Sequence, residues 1–116
     1  MISKTLGGGG ELDSTTLKTR VNLYIERKLK CPKSKIPPED REVIAFVLVD
    51  IVGFPIKEVA HLTHIPLSST YKALDFGRMK HRRLSAKAPF NVKADQFLEY
   101  ILDTLHHRSI SLQKTP

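Results

Sequence analysis

Apolar residues recur along this chain at the three- and four-residue spacing of amphipathic α-helices, and no segment shows the alternation of a half-buried strand. The first helix is expected to begin at a capping Asp13 or Ser14 and to end before Pro32. Its apolar face carries Leu17, Val21, Tyr24, Ile25 and Leu29. Asn91 is expected to cap the last helix, whose apolar stripe is Phe97, Leu98, Ile101, Leu102 and Leu105. The pattern predicts an all-α fold of about five helices.

The segment from Pro38 to Gly53 predicts a helix at the centre of the core. Proline suits the first helical position, Glu39 and Asp40 suit the positive end of the helix dipole, and Gly53 suits the end of the helix. Residues 43–52 are apolar except for Asp50, which is too apolar for a helix on the surface. A buried strand is the competing interpretation of such a run, but the acidic start and the glycine stop favour a helix.

Two further helices are predicted between Pro55 and Met79, separated by a break of about four residues at His64–Leu67. Ser68 or Ser69 can cap the second of them. This arrangement is typical of a helix-turn-helix, whose second helix enters the DNA major groove; a plain helical hairpin is the alternative. We expect Tyr71 and Leu74 to anchor this helix to the core, with Ser68, Ser69, Lys72 and Asp75 facing outward.

Charge is the second guide to function. The chain has 116 residues with a formal net charge of +7, which favours an anionic partner. Two basic runs contain no acid: residues 27–35, and residues 76–94 between Asp75 and Asp95. Such runs are often only solvated surface, but beside a helix-turn-helix they fit phosphate contacts that hold the protein in register on DNA.

From Arg41 onward the sequence resembles the C-terminal DNA-binding domain (domain IV) of the bacterial replication initiator DnaA. The matching features are an arginine opening an apolar helix, a glycine elbow, a short helix with Glu before an apolar and a small residue, and a hydroxyl-rich helix start. In this chain they are Arg41, Gly53–Ile56, Glu58–Ala60 and Ser68–Tyr71. The resemblance covers roughly residues 17–105, and it implies a helix-turn-helix domain of DnaA domain IV or Trp-repressor-like plan that binds duplex DNA.

The sequence departs from that family at three places. His64 stands where the family usually has a glycine, Pro55 replaces the usual Ser or Thr cap, and Leu67-Ser68 replaces an acidic-His pair. The base preference of the family is therefore not transferred. Region 4 of bacterial sigma factors is a rival resemblance, carried by Ile36–Val43 and His64–Pro66, although its spacing fits less well.

Other chemistries have weaker signals. No Gly-x-x-x-x-Gly-Lys-Ser/Thr loop is present, Cys31 is the only cysteine, and no positioned base accompanies the serines. Glu58, His61 and His64 could meet on one helix face, but capping or surface histidines are the simpler interpretation. We therefore expect no enzyme activity, no cofactor and no metal site. No apolar run reaches the ~20 residues of a membrane helix, and we expect a cytoplasmic protein that binds no membrane.

The sequence thus predicts a flexible glycine-rich arm (1–12), a helical helix-turn-helix domain (13–107) and a polar tail (108–116). Double-stranded DNA is the expected partner, with replication or transcription proteins as further candidates and the oligomeric state left open. The alternatives are a sigma-region-4-like regulator and a small helical adaptor that binds protein through the 97–105 stripe. The expected DNA-binding residues are Arg41, Ser68, Ser69, Thr70, Lys72, Arg78, Lys80, Arg82 and Arg83.

Overall fold

The computed structural model describes the backbone of residues 14–114 and the side chains of residues 14–102. In this part of the chain there are five α-helices and no strand, which confirms the predicted all-α class. The helices are α1 (Ser14–Tyr24), α2 (Pro38–Phe46), α3 (Ile56–Thr63), α4 (Leu67–Arg83) and α5 (Pro89–Lys114). The predicted glycine-rich arm lies outside the described residues.

Helices α1 and α2 both widen into a π-helical turn before they end. The turns span Ile25–Leu29 and Val47–Val52, and each is followed by a residue in the left-handed conformation, Lys30 (φ 55°) and Gly53 (φ 101°). The backbone N–H of Gly53 donates to the carbonyl of Leu48 at 2.9 Å. Only glycine adopts a φ of this size without strain, so Gly53 ends the helix as predicted.

The long element formed by α2 and its π-helical turn is the centre of the core. Every residue from Val43 to Leu48 is buried, so this stretch contacts protein on all sides, as its apolar sequence predicted. The prediction is wrong for Ile51, which belongs to the same apolar run but is exposed. On one side α5 packs against the element and α1 packs against α5, where Tyr24 of α1 meets Phe97 of α5 edge to face with ring centroids 4.7 Å apart. On the other side α2 makes its most extensive interhelical contact, with α4.

Small residues allow α4 to approach α2 closely. Ala45 of α2 packs with Ala73 and Leu74 of α4 in a second apolar cluster. One turn later, a Cβ atom added to Gly77 would lie 2.7 Å from the carbonyl oxygen of Glu42 and 2.9 Å from Cβ of Phe46. The two helices are therefore held at a separation that only glycine permits at this crossing point.

Helix α5 differs from its prediction at both ends. It begins at Pro89, and Asn91 lies inside its first turn, where Nδ2 donates to the carbonyls of Leu84 (3.2 Å) and Ser85 (2.8 Å). Asn91 thus fastens the preceding loop instead of capping the helix. The helix continues to Lys114, so residues 108–114 of the predicted tail are helical.

The apolar stripe of α5 is confirmed where its side chains are described. Phe97 and Ile101 are fully buried, and Leu98 and Leu102 are partly buried against the core. Leu105 of the predicted stripe lies outside the described side chains. Among the described helices, none combines the length and the apolar character needed to cross a lipid bilayer.

Candidate nucleic-acid interface

The connection between α3 and α4 is a turn of three residues, His64, Ile65 and Pro66. His64 adopts the left-handed conformation (φ 58°, ψ 34°), and the next N–H, that of Ile65, donates to the carbonyl of Ala60 at 3.1 Å. Ile65 is buried beneath the turn. This is the Schellman pattern, in which a left-handed residue ends a helix and an apolar side chain follows it into the core. The turn fixes the direction in which α4 leaves α3.

Replacing His64 with glycine is expected to stabilise the protein. A left-handed conformation costs an L-residue about 1–2 kcal/mol, whereas glycine adopts it freely but loses more backbone entropy on folding. We expect a net gain of several tenths to about 1 kcal/mol, measured as a higher urea midpoint with unchanged m-value. His61→Gly, inside α3, is the matched control and should destabilise the protein by about 0.5–1 kcal/mol. A destabilised His64→Gly variant would show that the imidazole has a favourable role in the turn.

Helix α4 begins two or three residues earlier than the predicted serine caps at Ser68 or Ser69 require. Pro66 precedes its first residue, Leu67, and no side chain caps this end. Ser68 and Ser69 therefore lie in the first turn of the helix and not at its boundary. The predicted serine cap is wrong, and the proline sets the start because its fixed backbone angle suits the entry to a helix.

The buried face of α4 is formed by Thr70, Ala73, Leu74 and Gly77. These positions follow the i, i+3, i+4, i+7 spacing of one helix face. The prediction for Leu74 is confirmed. Tyr71, which was expected beside it, is half exposed (50%) because it lies about 100° around the helix from Thr70.

Thr70 was expected to contact bases, but the structure buries its side chain. Its side chain is 1% exposed, and Oγ1 donates to the carbonyl of Pro66 at 2.9 Å. Thr70 instead links the turn to α4 from within the core. The small residues at 70, 73 and 77 are the sequence feature that could have identified the buried face. Because they are weakly hydrophobic, the larger Tyr71 was predicted to be buried instead.

The opposite face of α4 forms a continuous exposed ridge, which we call the outer ridge. Its members follow a spacing of four, three, four and three residues and are Ser68, Lys72, Asp75, Met79 and Arg82. The exposure of Ser68, Lys72 and Asp75 agrees with prediction, whereas Ser69 is half-buried at the side. Tyr71 and Phe76 flank the ridge and are about half exposed. The exposed apolar atoms of Met79 and Phe76 were not anticipated.

Two predicted phosphate-binding residues on α4 are engaged within the protein. Arg78 donates two hydrogen bonds to the carboxylate of Asp50, from Nε at 2.7 Å and from an Nη at 2.8 Å, and these raise the pKa of Arg78. Lys80 donates to Glu42 at 2.6 Å. Both acids belong to the central helical element, so these pairs secure the contact between α2 and α4. Arg78 and Lys80 are therefore engaged in internal ion pairs, which compete with the phosphate contacts predicted for them.

A similar pair holds α5 to the start of α2. Nζ of Lys93 donates to Glu39 at 2.8 Å, which raises the pKa of Lys93 and lowers that of Glu39. Half of the second basic run, Arg78, Lys80 and Lys93, thus serves internal ion pairs. In the described part of the chain no acid lies within 4 Å of the remaining members, which are Arg82, Arg83 and Lys87.

Arg82, Arg83 and Lys87 are exposed and form a basic end to α4 and the loop that follows it. Arg82 lies on the outer ridge, and Arg83 lies beside it at the last helical position. Because these cations gain nothing from internal pairs, their charge is available to an external anion. Within the second basic run, the basic end therefore contains the cations that still fit the predicted phosphate contacts.

Lys33, a member of the first basic run, lies near the α3–α4 connection, at the other end of α4. Nζ of Lys33 donates to the carbonyl of Leu62 at 2.6 Å, one turn before the α3–α4 connection. Partial burial lowers the pKa of Lys33, and the bond satisfies a carbonyl at the negative end of α3. Lys30 and Lys35, on either side, are exposed. Basic residues therefore lie near both ends of α4.

Arg41, the remaining predicted phosphate contact, lies on α2 and not on the outer ridge. Its side chain is partly buried, and its buried Nε atom has no hydrogen-bond partner among the described residues. Within the described side chains no three His, Cys, Asp or Glu residues lie close enough to share a metal ion.

Comparison of the chain with family models, with curated proteins and with solved structures finds no match in any of the three. The resemblance to the DnaA C-terminal domain therefore remains a prediction from the sequence.

Proposed function

We propose that this protein binds double-stranded DNA by a helix-turn-helix, with α3 as the first helix and α4 as the recognition helix. The observation that carries the proposal is the outer ridge of α4. It is exposed along the helix, it begins beside a short turn and it ends at Arg82, which with the adjacent Arg83 meets no acid within 4 Å among the described side chains. Recognition helices of this class place such a face in the major groove. Binding through a DnaA domain IV-like module is the form of this function that the sequence favours.

The roles within the interface follow from position and chemistry. Ser68 and Lys72 lie in the first two turns of α4, where side chains reach base edges. The N–H groups of the first turn have no side-chain cap, and they suit a phosphate at the positive end of the helix dipole. At the other end Arg82, Arg83 and Lys87 contact the phosphate backbone and set the register of the protein on the duplex.

The helical adaptor is the second candidate, and it has one observation in its favour. Tyr71, Phe76 and Met79 expose apolar surface along α4, which a protein partner could cover. The stripe on which that candidate was first based is instead buried at Phe97 and Ile101. DNA binding accounts for both the exposed polar ridge and the unpaired basic end, so we prefer it.

DNA binding is tested by titrating a fluorescent duplex of random sequence with the full chain over a series of salt concentrations. If the interface neutralises ~4–6 phosphates, the logarithm of the association constant should fall against log salt with a slope of roughly −4 to −5. Arg83→Ala should weaken binding to all sequences equally and make the slope shallower by about one. Lys18→Ala removes the same charge from α1, where Lys18 faces Glu58 at 3.7 Å, and should change little. Absent or salt-independent binding by wild type contradicts the proposal and favours the adaptor.

A further inference from the structure

Asp75 is an acid at the centre of the outer ridge, and it differs from the other acids that α4 meets. Asp50 and Glu42 lie on the central helix and each binds a basic residue of α4. Asp75 is exposed, and among the described residues no cation lies within 4 Å of its carboxylate and no hydrogen bond reaches it. Arg78, one turn later, attracts it electrostatically, but the Arg78 guanidinium is hydrogen-bonded to Asp50. The acceptor atoms of Asp75 therefore remain available to a ligand on the ridge.

A free carboxylate on a DNA-reading face has an energetic cost. It lies between Lys72 and Arg82 on a surface that faces polyanionic phosphates, and like charges repel. The cost is offset where the carboxylate accepts a hydrogen bond from an exocyclic amino group on a base edge. In the major groove the N4 amino group of cytosine is the donor that aspartate and glutamate characteristically read.

Lys72, the neighbour of Asp75 on the outer ridge, adds hydrogen-bond donors to the acceptors of Asp75. Lys72 lies three residues before it, so the Cβ atoms of the two residues are about 5–6 Å apart on the same face. Lys72 offers donors and Asp75 offers acceptors. The major-groove edge of a G·C pair presents the complementary set, with acceptors at guanine O6 and N7 and a donor at cytosine N4. Since base pairs rise by about 3.4 Å, both side chains reach the same pair or adjacent pairs.

We propose that Asp75 is a specificity-determining residue that selects cytosine, while Lys72 donates to the guanine of the same or the adjacent pair. This inference rests on the proposed DNA-binding function and adds to it the base composition of the target. Met79, one turn further along the ridge, offers an apolar contact to bases at the edge of the same site.

The test is a selection of binding sites from random duplexes with wild type, Asp75→Asn and Asp95→Asn. Asp95 is an exposed acid on α5, so its substitution makes the same chemical and charge change away from the ridge. Wild type should select a motif with one position at which cytosine is preferred roughly fivefold or more over the other bases. In Asp75→Asn that position should change to adenine, because an asparagine amide pairs with adenine N6 and N7. Asp95→Asn should select the wild-type motif.

A second readout separates base reading from simple charge. Asp75→Asn should bind random duplex as well as wild type or up to about fivefold more tightly, since a repulsive charge is removed. The inference is overturned if Asp75→Asn selects the wild-type motif, or if wild type selects no motif although it binds duplex. Failure of wild type to bind any duplex is a different result, and it overturns the proposed function itself.

Discussion

Leu74→Asp is expected to unfold the protein. Leu74 is 4% exposed and packs with Ala45 and Ala73 where α4 crosses α2. The substitution removes a buried leucine side chain, at a cost of about 3 kcal/mol, and places an unpaired carboxylate in an apolar site, at a cost of several more. The sum is comparable to the total stability of a small domain, about 5–15 kcal/mol. Far-UV circular dichroism and a thermal melt should show loss of the cooperative transition.

Leu67→Asp is the matched control for this variant. Leu67 is an exposed leucine at the first position of the same helix, and an acid there suits the positive end of the helix dipole. Leu67→Asp should therefore melt cooperatively within a few degrees of wild type. A Leu74→Asp protein that melts like Leu67→Asp would mean that α4 is rotated from the orientation described above.

Gly77→Ala is expected to destabilise the protein, although in an isolated helix the same substitution would stabilise it. Alanine gains about 1 kcal/mol over glycine in helix propensity. Here its Cβ would lie 2.7 Å from the carbonyl oxygen of Glu42, which belongs to the backbone of α2 and can move only with that helix. Overpacking of this kind costs about 1–3 kcal/mol. We expect a net loss of about 1–2 kcal/mol, and a larger loss for Gly77→Val.

Urea denaturation of Gly77→Ala beside Ser69→Ala measures this effect. Ser69 lies on the same helix and is half-buried outside the contact with α2, so its change to alanine should shift stability by no more than about 0.5 kcal/mol. A Gly77→Ala variant that is more stable than wild type would show that the helices can separate without cost. The sign of the change therefore reports how closely α2 and α4 are held.

The sequence by itself determined which segments are helical, because the signals for helix formation are local, although the start of α4 and both ends of α5 differ from prediction. The Pro38 start, the Gly53 stop and the turn after Thr63 follow from backbone preferences of single residues and their neighbours. The central place of residues 43–48 also follows from the sequence, since an apolar run without a polar face must be enclosed. In the candidate interface, the exposure of Ser68, Lys72 and Asp75 was predicted on the same basis.

The rotation of α4 was decided only by the tertiary structure. Gly77 is buried because α2 approaches it closely, and Thr70 is buried on the same face of α4. Both residues are weakly hydrophobic, so the sequence alone does not predict their burial. Tyr71 has a large aromatic ring, which favoured a buried position in the prediction, but its side chain is half exposed. Which face of a helix is buried depends on the shape of the surface that it meets when glycine, alanine and threonine form the contact.

The availability of basic residues was likewise a tertiary property. Arg78 and Lys80 look like free cations in the sequence because their partners, Asp50 and Glu42, are 28 and 38 residues away. Arg83 carries the same charge but meets no acid within the described chain. The net charge of the sequence predicts the sign of the charge on a favoured partner. Only the folded positions decide which charges remain to bind it, since an ion pair depends on distances of a few ångströms.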